Sequence, residues 1–252
     1  MGGYMIEDDW ENSSPITLVL VGRTGNGKSA TGNSIVGSKK FESKRSCSGV
    51  TTTSKLKTTV LADGRVVNVI DTPGLFDSSI DFEFIGKEIV SCIDLARDGI
   101  HAVLVVFSVC NRFSEEEKSA ISSLLTLFGR KIYDYIIVVF TGGDELEEEG
   151  KTLEDFLCGC QETLKETLRL CGNRYLLFDN KTKDETKRAI QVQNLLSIVN
   201  NVALNNGGRP YTNEMYTEFK KCKRESEEDE QDKQFKRIFE MVYGMQDSVT
   251  CF

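Results

Sequence analysis

One eight-residue segment constrains this chain more than any other: the pattern G-x-x-x-x-G-K-S, which reads Gly22-Arg23-Thr24-Gly25-Asn26-Gly27-Lys28-Ser29. It follows a continuous apolar run, Ile16–Val21, that is typical of a buried parallel strand. It also opens a helical pattern, Lys28–Val36. A strand, a glycine-rich turn and a helix in this order predict a phosphate-binding P-loop. A glycine-rich turn that matches by chance is the alternative.

The physical basis of this motif is the number of donors that a polyphosphate needs within a small volume. Glycines let successive backbone amides point inward, and the N-terminus of the helix adds its positive dipole end. Lys28 is expected to bridge the outer phosphates, and the Ser29 hydroxyl is expected to ligate Mg²⁺. The residues predicted to contact the nucleotide here are Gly22, Arg23, Thr24, Gly25, Asn26, Gly27, Lys28, Ser29 and Ala30.

The remaining chain alternates β-rich runs with helical patterns, which indicates an α/β fold. The predicted strands are residues 16–21, 55–61, 66–70, 102–107, 135–140 and 175–178. An Asp-Gly turn between the second and third strands predicts a hairpin, and amphipathic patterns predict helices at 114–128 and 153–171. We expect a P-loop NTPase fold with a mostly parallel central sheet, helices on both faces, and ligands at the carboxyl ends of the strands.

The domain organisation follows from shifts in composition. Residues 1–14 are expected to be a flexible N-terminus, and residues 15–206 the nucleotide-binding domain. A linker rich in asparagine and glycine, at 205–210, leads into a charged helical extension, 207–252. Charges of both signs dominate residues 220–236, and the apolar stripe is broken. This favours a solvated helix over an arm that binds partners.

Two further segments belong at the phosphate end. Asp71-Thr72-Pro73-Gly74 ends the predicted strand 66–70, so that Asp71 could hold a water on Mg²⁺ and the Gly74 amide could reach a γ-phosphate. Three threonines, at 51–53, lie between the first helix and the hairpin, where one of them could close over Mg²⁺. Spacing does not decide between them; Thr51 is our choice. Ordinary strand-entry threonines are the alternative.

The base end is predicted after the later strands. Thr141-Gly142-Gly143-Asp144 stands where small G proteins carry N/T-K-x-D, whose aspartate accepts hydrogen bonds from guanine; here glycine replaces the lysine. A solvated Asp144 beside other acids is the alternative. Asn180 follows the last strand and could finish the base pocket, or it could be a turn asparagine. Ser43, just past the first helix, is predicted beside the ribose or base.

Composition bounds the partners. A net charge of −8 and a pI near 5.0 argue against nucleic acid, which needs a basic footprint. Eight scattered cysteines and the absence of a secretory pattern predict reduced thiols and a cytosolic location. Cys158, Cys160 and Cys171 favour core packing over a zinc site. The apolar runs are too short to cross a bilayer. The single histidine, His101, begins an apolar strand, which favours a structural role.

Together these motifs resemble the AIG1-type (GIMAP/IAN) family of septin-related GTPases, its plant branch especially, over roughly residues 16–200. A segment at 99–116 is similar to the box that distinguishes this family from other G proteins. The resemblance implies a G domain, GTP or GDP with Mg²⁺, and nucleotide-dependent dimers. It also implies association of some members with internal membranes such as the endoplasmic reticulum, a C-terminal coiled coil in many, and roles in plant stress or defence responses. Members often have cysteine where this chain has Ser54.

The expected function is a guanine-nucleotide switch that hydrolyses GTP. Leu75 stands where small G proteins often place a glutamine that orients water, so a monomer should be slow. Arg112 could offset the developing charge in trans, across the nucleotide face of a homodimer; a surface pairing with Glu115 or Glu116 is the alternative. The candidate catalytic residues are Arg112, Lys28 and Thr51. A GTP-dependent scaffold with little hydrolysis and a P-loop ATPase are the competing functions.

Overall fold

The computed structural model describes residues 15–43, 51–75, 82–111 and 128–212, with the single positions 113, 117, 121, 122, 124, 125 and 217. The strands of its central sheet are β1 (Ile16–Val21), β2 (Lys55–Val60), β3 (Val66–Asp71), β4 (Ala102–Ser108), β5 (Ile136–Thr141) and β6 (Tyr175–Phe178). The helices are α1 (Lys28–Val36), α2 (Phe82–Leu95), α3 (Gly143–Glu148), α4 (Leu153–Cys158), α5 (Glu162–Leu170) and α6 (Glu185–Asn205), and a 3₁₀ turn covers Arg130–Tyr135.

The six strands form one sheet in the order β2-β3-β1-β4-β5-β6. All neighbours pair in parallel except β2, which forms the predicted antiparallel hairpin with β3. Every residue of β1 and β5 is buried, as the continuous apolar runs require of strands covered on both faces. The edge strand β2 contains only exposed and half-buried residues instead. The predicted mostly parallel α/β sheet is confirmed.

Helices cover both faces of the sheet. Gly32 of α1 lies so near Leu20 that an added β-carbon would be 3.0 Å from the leucine Cδ1. Val19 and Val21, whose side chains point to the other face, line a small apolar gap together with Ile89 of α2. The described positions between 117 and 128 are helical, in agreement with the predicted helix there.

The helix predicted over residues 153–171 is wrong in one respect: it is two helices, α4 and α5. Thr152 and Asp155 form a capping box at the start of α4, and the chain turns at Gly159, whose amide donates to the Phe156 carbonyl. Of the three cysteines expected to pack in the core, only Cys171 is buried; Cys160 is half-buried and Cys158 is exposed.

The chain folds back onto the sheet after α6. Tyr211 pairs with Ile100 in a β-bridge, is 1% exposed, and donates from its hydroxyl to the Phe128 carbonyl. The packed unit thus reaches at least Tyr211, beyond the boundary predicted at 206. Most of the extension at 207–252, with the charged run at 220–236 and any coiled coil, lies outside the described residues. In the described part of the chain, no helix combines the length and hydropathy that a membrane span requires.

Candidate nucleotide-binding site

The predicted P-loop connects β1 to α1 at the carboxyl edge of the sheet. Gly22 has φ 146°, and a β-carbon there would lie 2.5 Å from the Val106 carbonyl oxygen, so only glycine fits. Lys28 is 6% exposed and its Nζ donates to the carbonyls of Gly22 and Arg23, both at 2.9 Å. Two carbonyls of the P-loop therefore hold Lys28 in place at the N-terminus of α1.

A cleft of about 600 Å³ opens over the P-loop, within the range typical of small-ligand sites. The predicted residues that line it are Thr24, Gly25, Gly27, Lys28, Ser29, Ala30, Ser43, Thr51, Gly74, Thr141, Gly142, Asp144 and Asn180. Residues predicted from six separate stretches of sequence thus meet at one surface. They meet because parallel strands present their carboxyl ends at the same edge of a sheet.

Other predicted residues lie behind this surface. Asn26 is 1% exposed; its amide donates to the Val106 carbonyl at 3.1 Å and its Oδ1 accepts from Asn111 at 3.2 Å. Gly143 packs against Asp179, because a β-carbon added to Gly143 would lie 3.2 Å from that residue. Asn26 and Gly143, like Gly22 and Arg23, do not line the cleft. They belong to the loops that carry the lining residues. Arg112 lies outside the described residues.

Three side-chain oxygens converge beside Lys28. The Ser29 hydroxyl donates to Asp71 Oδ2 at 2.6 Å and lies 3.2 Å from the Thr51 hydroxyl, which is itself 3.5 Å from the same carboxylate oxygen. Thr52 and Thr53 are exposed, so Thr51 is the threonine whose hydroxyl reaches this cluster.

This cluster suits a hard cation. Asp71 is 1% exposed, and its Oδ1 is buried with no hydrogen-bond partner among the described residues. Burial raises the pKa of Asp71, while the Ser29 hydrogen bond and the charge of Lys28 oppose that rise. Hydroxyl and carboxylate oxygens are the ligands that Mg²⁺ takes, directly or through water. The residues present fit a Mg²⁺ ion at Ser29, Thr51 and Asp71.

The base end of the cleft contains a residue that the sequence analysis missed. Lys181 lines the cleft, and its ammonium pairs with Asp144 and, at 2.9 Å, with Glu145. Both hydrogen bonds raise the pKa of Lys181. Its only signal in the sequence is its place directly after Asn180. Asp144 is thus neither isolated nor freely solvated: its side chain is 20% exposed and faces the cleft.

Asn180 is oriented by the first helix. Its amide nitrogen donates to the Thr31 hydroxyl at 3.0 Å, and its Oδ1 accepts from the Ser34 hydroxyl at 2.7 Å. Because both ends of the amide are held by α1, Asn180 joins the base end of the cleft to the helix that begins at the P-loop.

The glycine that replaces the usual lysine has a steric reason. Gly142 has φ 91°, and an added β-carbon would lie 2.8 Å from Val109 Cγ2 and 3.2 Å from Cys110 Sγ. A lysine at this position would strain the backbone and displace the loop after β4. The variant Thr-Gly-Gly-Asp motif is therefore matched to the loop that packs against it.

We expect Gly142→Ala to lower the stability of the fold by about 1–3 kcal/mol, or roughly 3–10 °C in Tm, because strain and a clash add. Gly150→Ala is the matched control, since Gly150 has φ 63° but open space around its Cα. Thermal unfolding followed by circular dichroism measures both. Equal shifts in the two variants would contradict the clash with Val109.

His101 has a structural role, as expected. Its Nδ1 accepts from the Thr17 amide at 3.0 Å, and burial lowers its pKa. No group of three or more His, Cys, Asp or Glu side chains in the described ranges could hold a metal ion by itself. The zinc alternative for the cysteines finds no support there.

Comparison with known proteins identifies the family. A model of the AIG1 family matches residues 16–231. Immune-associated nucleotide-binding protein 9 of Arabidopsis thaliana is 59% identical over 223 residues, 86% of this chain and 65% of that protein. Protein 8 of the same series is 54% identical over 229 residues, 88% and 65% of the two chains. The chain thus spans just under two thirds of the length of these relatives.

Solved structures agree on the fold. Toc33 from Arabidopsis thaliana in complex with GDP and Mg²⁺ matches with a TM-score of 0.58 at 22% identity, over 77% of this chain and 86% of that one. A dimerization-deficient mutant of Toc33 gives 0.59 at 21% identity, over 76% and 85%. At this identity the likeness shows the fold alone, that of a P-loop GTPase G domain. By its matched residues and its relatives, the chain belongs to the AIG1 family, in the plant branch.

Proposed function

We propose that this protein binds GTP and GDP with Mg²⁺ and acts as a guanine-nucleotide switch that hydrolyses GTP. One observation carries the proposal. Lys28, Ser29 and Thr51, with Asp71 in contact behind them, line the same cleft as Asp144 and Asn180. Residues proposed for phosphate, metal and base recognition therefore border one cleft, as a single nucleotide requires.

The phosphate end is built for charge. Lys28 and the backbone amides of the P-loop would take the outer phosphates, and the Gly74 amide would contact a γ-phosphate. Mg²⁺, when bound, would neutralise charge on the phosphate oxygens, with Ser29 and Thr51 as ligands and Asp71 acting through water. Thr51 belongs to a loop, so its contact would depend on the γ-phosphate. That dependence would make the loop a switch.

The base end favours guanine over adenine. A carboxylate at Asp144 can accept from the N1–H and the exocyclic amine of guanine, a pair of donors that adenine does not present. Lys181 orients this carboxylate through its ion pair. Competition between GTP and ATP separates this proposal from the ATPase alternative.

Hydrolysis by a monomer should be slow. Leu75 is 3% exposed and its side chain belongs to the hydrophobic core, so it has neither the polar group nor the position to orient a water. An additional group must offset the charge on the transferred phosphoryl. Without such a group, the scaffold alternative, in which nucleotide controls dimerisation and little is hydrolysed, would describe the protein better.

We propose Arg112 as this group, acting on the nucleotide of a second copy. Ser108, Cys110 and Asn111 line the cleft, so Arg112 directly follows a cleft residue. Guanidinium is always charged and forks onto phosphate oxygens. A solved-structure study of Toc33 and a related translocon protein reports that dimerization is important for their GTPase activity. In this chain the same dependence is a hypothesis, and pairing of Arg112 with Glu115 or Glu116 is its alternative.

The test is turnover per molecule at increasing protein concentration. In the wild type it should rise as dimers form, whereas Arg112→Ala should keep nucleotide affinity and lose the rise. Arg97→Ala is the control: this exposed arginine precedes β4, at the opposite edge of the sheet. Flat wild-type turnover, or an intact rise in Arg112→Ala, would contradict the role in trans. Size measurements with GDP and with a non-hydrolysable GTP analogue report dimerisation separately.

A cellular role is proposed from the family. The Arabidopsis relatives are named immune-associated nucleotide-binding proteins, and we propose a stress or defence role for this chain. A cytosolic location, peripheral to internal membranes such as the endoplasmic reticulum, remains a proposal of the same kind.

A further inference from the structure

A buried carboxylate outside the cleft contacts the loop that carries Thr51. Glu88, on α2, is 6% exposed. Its Oε2 accepts from the Ser54 amide at 2.6 Å and from the Ser54 hydroxyl at 2.7 Å. The same hydroxyl lies 3.3 Å from the Cys92 thiol, one turn further along α2. Both donors of one residue thus converge on a single carboxylate oxygen.

Ser54 lies between the sheet and the loop that carries Thr51. It precedes β2, whose first residue, Lys55, is in register with Asp71 of β3. On its other side, three residues away, Thr51 reaches Ser29 and Asp71. Because both donors of Ser54 are held, the peptide there has a defined orientation. Glu88 therefore fixes the chain three residues from Thr51.

The chemistry at this position is costly for a purely structural contact. A buried carboxylate loses its hydration and recovers it only through strong, short hydrogen bonds. An apolar residue against Cys92 would fill the same space without that cost. The carboxylate instead joins α2, the helix that follows Asp71 and Gly74 along the chain, to the loop with Thr51. The loop with Thr51 is one of the segments predicted to respond to a γ-phosphate.

We propose that Glu88 is a positioning residue that holds Thr51 towards the Mg²⁺ site. This inference rests on the proposed nucleotide switch. Glu88 does not line the cleft. It acts through Ser54, and its effect is confined to the state in which Thr51 contacts the metal. GDP with Mg²⁺ should depend on it little, and a GTP analogue with Mg²⁺ should depend on it strongly.

The experiment measures affinities for GDP and for a non-hydrolysable GTP analogue, each with Mg²⁺ and with a chelator. Glu88→Ala should weaken Mg²⁺-dependent binding of the analogue by ~10-fold, since two charge-assisted hydrogen bonds are lost, and change GDP affinity by less than about twofold. Glu88→Gln retains an acceptor and should lose less. Lys87→Ala, at the exposed neighbouring position on α2, is the control and should match the wild type.

A double-mutant cycle tests the route. If Glu88 acts through Thr51, then the double variant Thr51→Ala with Glu88→Ala should bind the GTP analogue as tightly as Thr51→Ala alone. Ser54→Ala provides a milder variant if Glu88→Ala does not fold. The proposal would be overturned if Glu88→Ala lost equal affinity for GDP and the analogue, or lost affinity for neither. It would also be overturned if the effects of Thr51→Ala and Glu88→Ala were fully additive. Failure of the wild type to bind either nucleotide would instead overturn the proposed function.

Discussion

Lys28→Ala is expected to abolish tight binding of both GTP and GDP. Lys28 is 6% exposed and its ammonium is held by two P-loop carbonyls, so the ammonium is already oriented for phosphate when the nucleotide arrives. Removing one partner of a buried charge pair, here the Lys28 ammonium opposite the phosphates, costs about 2–5 kcal/mol, or roughly 30- to 4,000-fold in Kd. Titration with a fluorescent guanine nucleotide measures the change.

Two further variants make this result specific. Lys39→Ala removes an exposed lysine just past α1 and should bind like the wild type. Ser29→Asn should weaken the Mg²⁺-dependent GTP state more than the GDP state, because the Ser29 hydroxyl is a proposed metal ligand. Wild-type affinity in Lys28→Ala would mean that the P-loop assignment is wrong.

Asp144→Asn is expected to change the preferred base from guanine to xanthine. The carboxylate can accept from two guanine donors, whereas an amide presents a donor that suits the extra carbonyl of xanthine. Loss of two hydrogen bonds to a charged group should lower GTP affinity by about 10²-fold or more. Competition of XTP and GTP for a bound fluorescent nucleotide measures the preference.

The neighbouring acid supplies the control. Glu145 also pairs with Lys181 but has no assigned contact with the base, so Glu145→Gln should keep the preference for GTP. If Asp144→Asn also keeps it, then Asp144 is not the residue that selects guanine. If both variants lose all nucleotide equally, the ion pairs of Lys181 have a structural role at this end of the cleft.

Patterns local in the chain were sufficient for most of the fold. The apolar runs of β1 and β5 determined buried parallel strands, and the Asp-Gly turn determined the hairpin of β2 and β3, since these signals depend on neighbouring residues only. The prediction of a single helix at 153–171 was wrong because it, too, depended on neighbouring residues only. Its three-and-four spacing continues through Gly159, and nothing in the periodicity marks the turn there.

The sequence by itself therefore determined the strand-to-helix P-loop, the α/β class and the edge of the sheet where the candidate ligands meet. Only the tertiary structure gave a physical reason to prefer Thr51 among three threonines, paired Lys181 with Asp144, and placed Glu88 on Ser54. It also showed that a side chain at position 142 would clash with Val109. The physical reason is range. A P-loop is defined by backbone conformation over a few residues, whereas these contacts join residues that are distant along the chain and meet only when the helices pack on the sheet.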